Sequence, residues 1–386
     1  MTHPGLAEPR TKEDWRDYVH YEPPPKPILP TRTAYEAMSE DDRRRFDRAR
    51  SRHHSALVLA WTPPVQRFEN EIFERLEANQ AAPAGARPGL LIDGPAAVGK
   101  STLVKMIGRK FELQLRADEP HRFTDTGDDQ VPVVYLSVPD QVTPKQISIA
   151  LARYLHLPTR GTKDDIDDVI LKAIRRCGVQ LLIVDDLHFL DCSQREGRAS
   201  NDHIKYLANH APCTLVGTGI DLEDSPLLSE GGGGERATQT AGRFAHHKLA
   251  PFSVASKHEA AEWIGVIKTL EDALVLFAHQ PGSLARQHWR YLHERTGGSI
   301  AALHNLIRLG AVRAVRTGQE AVTRDLLDGI RLDYTSERRH AQLDNAKAKR
   351  GQRTESTMVR GSRKEAPPVV SDPQQAGRSA GQVANQ

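Results

Sequence analysis

The nine residues 94–102 constrain this chain more than any other part of its sequence. They fit the pattern G-x-x-x-x-G-K-S and are, in order, Gly94, Pro95, Ala96, Ala97, Val98, Gly99, Lys100, Ser101 and Thr102. The preceding apolar run, residues 89–92, is predicted to be a strand, and residues 103–111 have helical character. Glycine-rich loops in this position wrap phosphates with backbone N–H groups and with the positive end of the helix. The segment therefore predicts a P-loop.

A P-loop gives particular side chains particular tasks. Lys100 is expected to reach the β- and γ-phosphates of a nucleoside triphosphate, and the Ser101 hydroxyl is expected to hold Mg²⁺. The alternative is a turn rich in glycine and alanine that happens to contain Lys-Ser. The strand before the motif and the helix after it favour phosphate binding over that alternative.

A second motif follows further along the chain. Residues 179–186 form an apolar run that ends in Asp185 and Asp186, as expected for a buried strand of a parallel sheet. Downstream of a P-loop this pattern predicts the Walker B strand. Asp185 would hold Mg²⁺ through water, and Asp186 would orient or activate the attacking water.

Strands and helices alternate through the first two thirds of the chain. Residues 131–138 and 213–216 are predicted strands, and the latter leads into Gly217-Thr218-Gly219. Thr143-Pro144 and Thr162 are predicted helix starts, since Thr caps helices and Pro suits the first helical position. This alternation predicts an α/β fold with parallel strands and right-handed crossovers. Ligands of such folds bind at the carboxyl ends of the strands, where Lys100, Asp185 and Thr218 would meet around one γ-phosphate.

The strand pattern stops at Ser253. Four helices are predicted after it, over residues 257–276, 284–295, 299–317 and 323–331, and Gly297-Gly298 interrupts the series. At the other end, a proline-rich stretch over residues 21–27 precedes a charged helix over residues 39–55. We therefore predict an extended and helical N-terminal arm (1–60), an α/β nucleotide-binding domain (61–252), a helical lid domain (253–335) and a disordered basic tail (336–386).

Composition excludes several classes of protein. Charged residues make up 27% of the 386 residues, and no apolar run approaches the roughly 20 residues that a membrane helix needs. The N-terminus lacks the apolar centre of a signal peptide, and Cys177, Cys192 and Cys213 lack metal-ligand spacing. We expect a cytoplasmic protein without membrane contact.

Positive charge is concentrated near the C-terminus, although the net charge is only +3. Residues 338–364 hold nine Lys or Arg against two acidic residues and almost no large apolar side chains. Such a composition cannot bury enough surface to fold. Attraction to nucleic acid and simple solvation both remain open for this tail.

The order of motifs resembles one particular family. The similarity to TniB/TnsC proteins spans residues 61–333. It rests on the P-loop and on the motifs at residues 185–188, 204–209, 217–221, 241–244 and 295–308. These are AAA+ ATPases that select target DNA for transposases, and they are more distantly related to MuB. The resemblance implies an AAA+ P-loop NTPase with a parallel sheet core and a small all-helical lid. It also implies ATP and Mg²⁺ as cofactors.

Site residues carry over one by one. Lys100, Ser101 and Asp185 match the ATP–Mg²⁺ motif, Thr218 matches the polar sensor that ends the fourth strand, and Arg243 matches the arginine finger offered to a neighbouring subunit. Asp186 stands where AAA+ proteins usually have Glu, so slow hydrolysis is expected. The lid start at residues 297–301 lacks the usual Arg, and Arg295 or Arg308 could substitute for it.

These observations favour an ATP-dependent DNA-binding regulator of transposition. The resemblance implies that ATP-bound subunits assemble on DNA as a ring or filament homo-oligomer and recruit or activate a transposase. DNA contact would be mostly independent of sequence, with Lys145 and residues 347–353 as candidates for phosphate contacts. The alternative is an AAA+ signalling or defence ATPase that acts on a protein partner without DNA. A helicase or DNA loader is less favoured, because no accessory catalytic motif occurs.

Overall fold

A computed structural model describes residues 8–56, 62–82, 85, 87–139, 142–189, 195–224, 243–338 and 340–342. Cys192 and residues 347–353 therefore lie outside the described residues. The chain divides into two units, Met1–Glu337 and Arg338–Gln386. Of the second unit only residues 338 and 340–342 are described, so the disordered basic tail stays a prediction.

Five parallel strands form one sheet. They are β1 (Gly89–Asp93), β2 (Val133–Ser137), β3 (Leu181–Asp185), β4 (Thr214–Gly219) and β5 (Phe244–Lys248). Their order in the sheet is β2-β3-β4-β1-β5, and all neighbouring pairs are parallel. The α/β class and the parallel sheet predicted from the sequence are confirmed. Because β4 lies between β1 and β3, the ends of these three strands are neighbours at the carboxyl edge.

The other long elements of the described residues are helices. Those before β5 are α1 (Lys12–His20), α2 (Arg32–Glu36), α3 (Glu40–Ser55), α4 (Pro63–Ala81), α5 (Lys100–Asp118), α6 (Pro144–Tyr154), α7 (Lys163–Arg176) and α8 (Arg195–His210). Those after β5 are α9 (Lys257–Asp272), α10 (Trp289–Thr296), α11 (Ile300–Thr317) and α12 (Arg324–Asp328).

Side-chain caps fix where several helices begin. Thr143 and Thr162 accept hydrogen bonds from the backbone N–H groups of Gln146 and Asp165, and both form capping boxes. These two predicted helix starts are confirmed. The same signal, a Thr followed by Pro, begins α4 at Thr62, and that helix had not been predicted from the sequence.

One hydrophobic core lies around the sheet and unexpectedly includes part of the N-terminal arm. Trp15 of α1 is 1% exposed, and its ring stacks on Tyr135 of β2 with centroids 5.9 Å apart. Its indole nitrogen donates to Glu112 of α5 at 2.8 Å. Val19 is also fully buried. Helix α1 is thus part of the packing of the P-loop helix α5, which the polar sequence of this region had not indicated.

A second hydrophobic core joins the helices that follow β5. Its largest member is Trp263 of α9, and it also contains Ile267, Leu284, Leu303, Leu306 and Leu327. The all-helical character predicted after Ser253 is confirmed for the described residues. One helix differs from its prediction, since residues 284–295 contain a π-helical turn (Ser283–Gln287) followed by α10. The carboxylate of Glu271 accepts from the backbone N–H groups of Leu284 and Ala285, which stabilises that separate turn.

Helix ends also differ from the sequence prediction at α9. The helix ends at Asp272 and not at Leu276. Residues 273–276 instead leave the helix, and the backbone N–H of Val275 donates to the imidazole of His54 at 3.0 Å. The contact partner lies 221 positions away in sequence, so no local pattern could have indicated it.

The second half of the arm packs on the helical region. Helix α3 lies against α11, and Arg50 is fully buried there. Its guanidinium donates to both carboxylate oxygens of Glu320, at 2.6 and 2.9 Å, and to Asp47. The arm therefore contacts the sheet core through α1 and the helical region through α3. Among the described residues, no helix is both long and apolar enough to cross a membrane.

Candidate functional site

The P-loop connects the end of β1 to the start of α5. Ala97 and Gly99 have positive φ angles of 63° and 97°, and a Cβ atom built on Gly99 would meet nothing within 4 Å. A Cβ on Gly94 would run into the carbonyl oxygen of Leu249, just after β5. Position 94 thus needs glycine because the chain after β5 approaches closely. Position 99 needs glycine because the backbone there is left-handed.

Lys100 lies inside this loop. It is 7% exposed, and its ammonium donates to the carbonyl oxygens of Gly94 at 2.7 Å and Pro95 at 2.9 Å. Burial lowers the pKa of Lys100, and the carboxylates of Asp185 and Asp186 oppose that effect. The cation is held by neutral acceptors, which phosphate oxygens could replace with charge-assisted hydrogen bonds.

Asp185 is held by three donors at the end of β3. Its Oδ1 accepts from the hydroxyl of Thr218 and from the backbone N–H of Asp186 at 3.0 Å. Its Oδ2 accepts from the hydroxyl of Tyr135 at 2.7 Å. Burial is the main cause that raises the pKa of Tyr135 far above its usual value, so this hydroxyl keeps its proton. Asp185 is 1% exposed, and the three donors fix the orientation of its carboxylate.

Asp186 lies beside Asp185 in a strained conformation. Its φ angle of 63° is left-handed, which is uncommon for a residue with a side chain. Burial raises the pKa of Asp186, and the negative charge of Asp185 adds to that shift. A carboxylate whose proton affinity is raised accepts a proton from water more readily.

The carboxyl edge of the sheet therefore brings together most of the predicted site residues. Lys100 and Ser101 follow β1, Asp185 and Asp186 follow or end β3, and Thr218 belongs to β4. The hydroxyl of Thr218 contacts Asp185, as given above, so it stands between the two acidic residues and the P-loop strand. These contacts join residues that are far apart in the sequence.

Arg243 is not part of this cluster. Its carbonyl oxygen accepts from the backbone N–H of Gly89 at 2.8 Å, which places it at the amino edge of β1. Its guanidinium donates to Asn209 of α8. At about 3.3 Å per strand residue, the four steps from Gly89 to Asp93 separate Arg243 from the P-loop by roughly 13 Å. Arg243 therefore cannot reach the P-loop of its own chain without a large movement.

The donor set suits a nucleotide with Mg²⁺. Three features lie around the P-loop. They are the open space at Gly99, the buried ammonium of Lys100 on neutral acceptors, and the buried Oδ1 of Asp93, which accepts no hydrogen bond from the described residues. Ser101 would supply an oxygen ligand, which Mg²⁺ prefers, Asp185 would hold a water of the metal, and phosphates and further water would complete the shell. Among the described residues, no group of three His, Cys, Asp or Glu side chains could hold a metal without such a ligand.

A cavity of about 510 Å³ adjoins the P-loop and had not been predicted from the sequence. It lies between α4, the end of β5 and the start of α11, and its size and apolar walls suit a nucleoside. Its lining includes Val65, Phe68, Val98, His247, Leu249, Phe252 and Ile300. The Thr62-Pro63 helix start with apolar residues at 65, 68 and 72 was the available signal.

A side-chain hydrogen bond joins the helical region to the P-loop. Ser299 donates to the carbonyl oxygen of Ala97 at 2.8 Å, and the same side chain caps α11 by accepting from Ala302 N. Among the described residues, neither candidate for a lid arginine has a hydrogen bond to the P-loop. Arg295 donates to Glu337 and to the carbonyl oxygen of Ile330, and Arg308 donates to Asn305 and Ser55.

Family comparison agrees with this geometry. Residues 66–254 match the family described as "Bacterial TniB protein". The match contains the P-loop, the acidic strand, Thr218 and Arg243, and it ends where the helical region begins. None of the curated proteins matches the chain.

Several solved structures are similar to the chain at a distance. The Orc1 protein of Aeropyrum pernix in complex with DNA has 16% identity and a TM-score of 0.49, over 83% of this chain and 68% of that one. Cdc6p of Pyrobaculum aerophilum has 15% identity and a TM-score of 0.46, over 70% and 67%. Domain III of Thermotoga maritima DnaA has 14% identity and a TM-score of 0.41, over 71% and 92%. Similarity this low says nothing about what this chain binds.

The sequence, the sheet and the family match lead to one assignment. The parallel sheet with its P-loop and the following helical region have the architecture predicted from the resemblance, and the family predicted there is the one that matches. Over residues 66–254 the chain is TniB-like, and it has the fold of an AAA+ P-loop ATPase.

Proposed function

We propose that the chain is an ATP-dependent DNA-binding regulator of transposition that assembles on target DNA and recruits or activates a transposase. The observation that carries this proposal is the TniB match over residues 66–254, which includes the P-loop, Asp185, Asp186, Thr218 and Arg243. The geometry at the carboxyl edge of the sheet supports the nucleotide part of the proposal.

ATP binding would use two neighbouring parts of the molecule. Lys100 and the backbone of residues 94–102 bind the phosphates, and the cavity lined by Phe68 and Phe252 takes the nucleoside. Ser101 binds Mg²⁺ directly and Asp185 binds it through water. The metal neutralises phosphate charge during hydrolysis.

Hydrolysis would depend on Asp186 and Thr218. Asp186 accepts a proton from the attacking water or orients it, helped by its raised pKa. Its side chain is one methylene shorter than Glu, so its reach is shorter and we expect slow turnover. Thr218 holds Asp185 in place through its hydroxyl.

Assembly would complete the site. Because Arg243 lies at the opposite edge of the sheet, it would act on the γ-phosphate bound by a neighbouring subunit. A cation supplied from another subunit stabilises the charge of phosphoryl transfer only after assembly. ATP then works as an assembly switch, since the nucleotide is contacted from both sides of the interface.

DNA contact would be mainly to phosphates. Lys145 stands at the first turn of α6 and is exposed, although its ammonium donates to the carbonyl oxygen of Gly161. Residues 347–353 of the basic tail would add further positive charge. Such contacts give affinity that depends on salt and little on sequence.

Fluorescence anisotropy of a labelled DNA duplex tests the proposal. Binding should require ATP, weaken steeply as salt rises, and differ little between unrelated sequences. Removing Arg338–Gln386 should reduce the salt dependence if the tail contacts DNA. Equal DNA binding with and without ATP, or no DNA binding at all, would contradict the proposed function and favour a protein partner.

Arg243→Ala tests the assembly step. The variant should keep nucleotide affinity but lose ATP-dependent oligomers and hydrolysis, measured by light scattering and phosphate release. Mixing it with Lys100→Ala protein, which still carries Arg243, should restore part of the turnover. Wild-type assembly by the Arg243→Ala variant would place the arginine finger elsewhere.

A further inference from the structure

Tyr135 contacts two carboxylates that belong to different parts of the molecule. Its hydroxyl lies 2.7 Å from Oδ2 of Asp185 and 2.6 Å from Oε1 of Glu8. Asp185 belongs to the candidate magnesium site, and Glu8 belongs to the N-terminal arm. Tyr135 is itself only 1% exposed, so few other groups can reach its hydroxyl.

A phenol hydroxyl carries one proton, whereas an ionised carboxylate can only accept. At any moment Tyr135 can donate to Asp185 or to Glu8, but not fully to both. Lys105 lies 3.0 and 3.1 Å from the two oxygens of Glu8 and balances its charge. The two carboxylates therefore compete for one hydrogen bond.

The position of Glu8 depends on how the arm is docked. Glu8 lies just before α1, which is held by the buried Trp15 and by an ion pair of Lys12 with Asp129 at 3.0 Å. Arg109 of α5 also donates to the carbonyl oxygens of Val19 and Tyr21. If α1 undocks, Glu8 leaves Tyr135.

We propose that Tyr135 is a positioning residue that couples the nucleotide site to docking of the N-terminal arm. When Asp185 accepts hydrogen bonds from the waters of Mg²⁺, Tyr135 donates to Glu8 and the arm is held more tightly. When Glu8 takes this hydrogen bond, Oδ2 of Asp185 is left open for those waters. The coupling rests on the proposed function. By linkage, the free energy by which Mg²⁺ binding favours arm docking equals the free energy by which arm docking favours Mg²⁺ binding.

A charge-balanced pair of substitutions tests one direction of the coupling. Glu8→Ala removes the competing acceptor, and Lys105→Met removes the balancing charge while keeping most of the stem. The Mg²⁺ concentration that half-saturates nucleotide binding should rise about fivefold. This change corresponds to part of the free energy of one hydrogen bond to a charged group. In a Tyr135→Phe background, the same pair should change nothing further. An equal rise in both backgrounds would mean that the arm acts without Tyr135 and would overturn the proposal.

Hydrogen exchange tests the reverse direction without measuring activity. With nucleotide present, adding Mg²⁺ should slow amide exchange in residues 8–20 by about the same fivefold factor, since reciprocal couplings are equal. The Tyr135→Phe variant should lose this response while α1 stays folded. Arg109→Met serves as a matched control, because it loosens the arm without touching Tyr135. It should speed exchange in α1 yet keep the response to Mg²⁺.

Failure of the coupling differs from failure of the proposed function. Wild-type protein that binds no nucleotide would overturn both. Wild-type protein that binds nucleotide with Mg²⁺, but whose residues 8–20 exchange equally fast with and without the metal, would overturn the coupling alone. If the Arg109→Met variant lost the response to Mg²⁺ as the Tyr135→Phe variant does, the effect would depend on arm docking in general. That result would overturn the role proposed for Tyr135.

Discussion

The P-loop and the N-terminal arm both contact the sheet core and the helical region, but they are built in opposite ways. The P-loop is one contiguous segment, and a hydrogen bond from the hydroxyl of Ser299 joins it to the helical region. The arm is held by partners far along the chain, with Arg50 and Glu320 separated by 270 positions. We therefore expect the P-loop to act mainly in nucleotide binding and the arm mainly in the stability of the fold. The predictions below test that division.

The largest expected effect is on stability, from Arg50→Met. Removing one partner of a buried ion pair leaves Glu320 buried without its cation, so the free energy of unfolding should fall by about 3–5 kcal/mol. The nucleotide affinity of the folded protein should stay within about twofold of wild type, since Arg50 lies far from the P-loop contacts. Urea unfolding and nucleotide titration measure the two quantities.

Arg44→Met is the matched control for this substitution. Arg44 lies on the same helix, and its side chain is 62% exposed, so its ion pairs should contribute well under about 1 kcal/mol. A small effect of Arg50→Met, similar to that of Arg44→Met, would contradict the role given to the arm.

Lys100→Ala should have the opposite profile. Loss of the charged donor to the phosphates should weaken nucleotide binding by about 100-fold or more. The free energy of unfolding should change little, because Lys100 is a buried cation whose hydrogen bonds go only to loop carbonyls. Lys145→Ala, which removes an exposed lysine, should leave nucleotide affinity unchanged. Retained affinity in Lys100→Ala would refute the P-loop assignment.

Acid should act on the arm before it acts on the P-loop. Burial lowers the pKa of His54 to about 3, and its imidazole accepts from Val275 N. The unfolded chain binds this proton near pH 6.5 and the folded chain does not, so stability falls as pH falls below that value. The slope should be about 1.4 kcal/mol per pH unit, or roughly 2 kcal/mol by pH 5. A His54→Gln variant should show a shallower slope, and an unchanged slope would assign the acid sensitivity to other groups.

The smallest effect is expected where the two regions come closest, at Ser299. Ser299→Ala removes a helix cap and should cost about 1 kcal/mol of stability. It also removes the donor to Ala97, so nucleotide affinity should fall by a few-fold at most. Ser299→Thr keeps both functions of the hydroxyl and should behave like wild type. Equal nucleotide affinity in the Ser299→Ala and Ser299→Thr variants would show that the hydroxyl of Ser299 does not link the helical region to nucleotide binding.

The sequence predicted what depends on neighbouring residues. The P-loop, the acidic end of β3 and the caps at Thr143 and Thr162 are local patterns, in which side-chain chemistry and backbone geometry occur within a few positions. The parallel sheet followed from the alternation of these elements. Its strand order then brought Lys100, Asp185 and Thr218 together as expected.

The sequence did not predict what depends on distant partners. Trp15 lies in a charged nine-residue helix, and its burial depends on Glu112 and Tyr135, which are far along the chain. Tyr135 is an ordinary strand residue in the sequence, and only the fold places its hydroxyl between Asp185 and Glu8. The nucleoside cavity likewise needs α4, β5 and α11 together. Periodicity shows which face of an element is apolar, but not what it packs against.

With the role proposed for Arg243, each subunit of an assembly would have a direction. If the site lies at one edge of the sheet and the finger at the other, two different surfaces meet at every contact, which is a heterologous interface. Such contacts close into a ring or continue without limit. In an open row, the subunit at one end lacks a neighbour to supply Arg243 and holds ATP that it cannot efficiently hydrolyse. That terminal subunit would keep its nucleotide longest, so an open assembly would lose subunits from its ends at unequal rates.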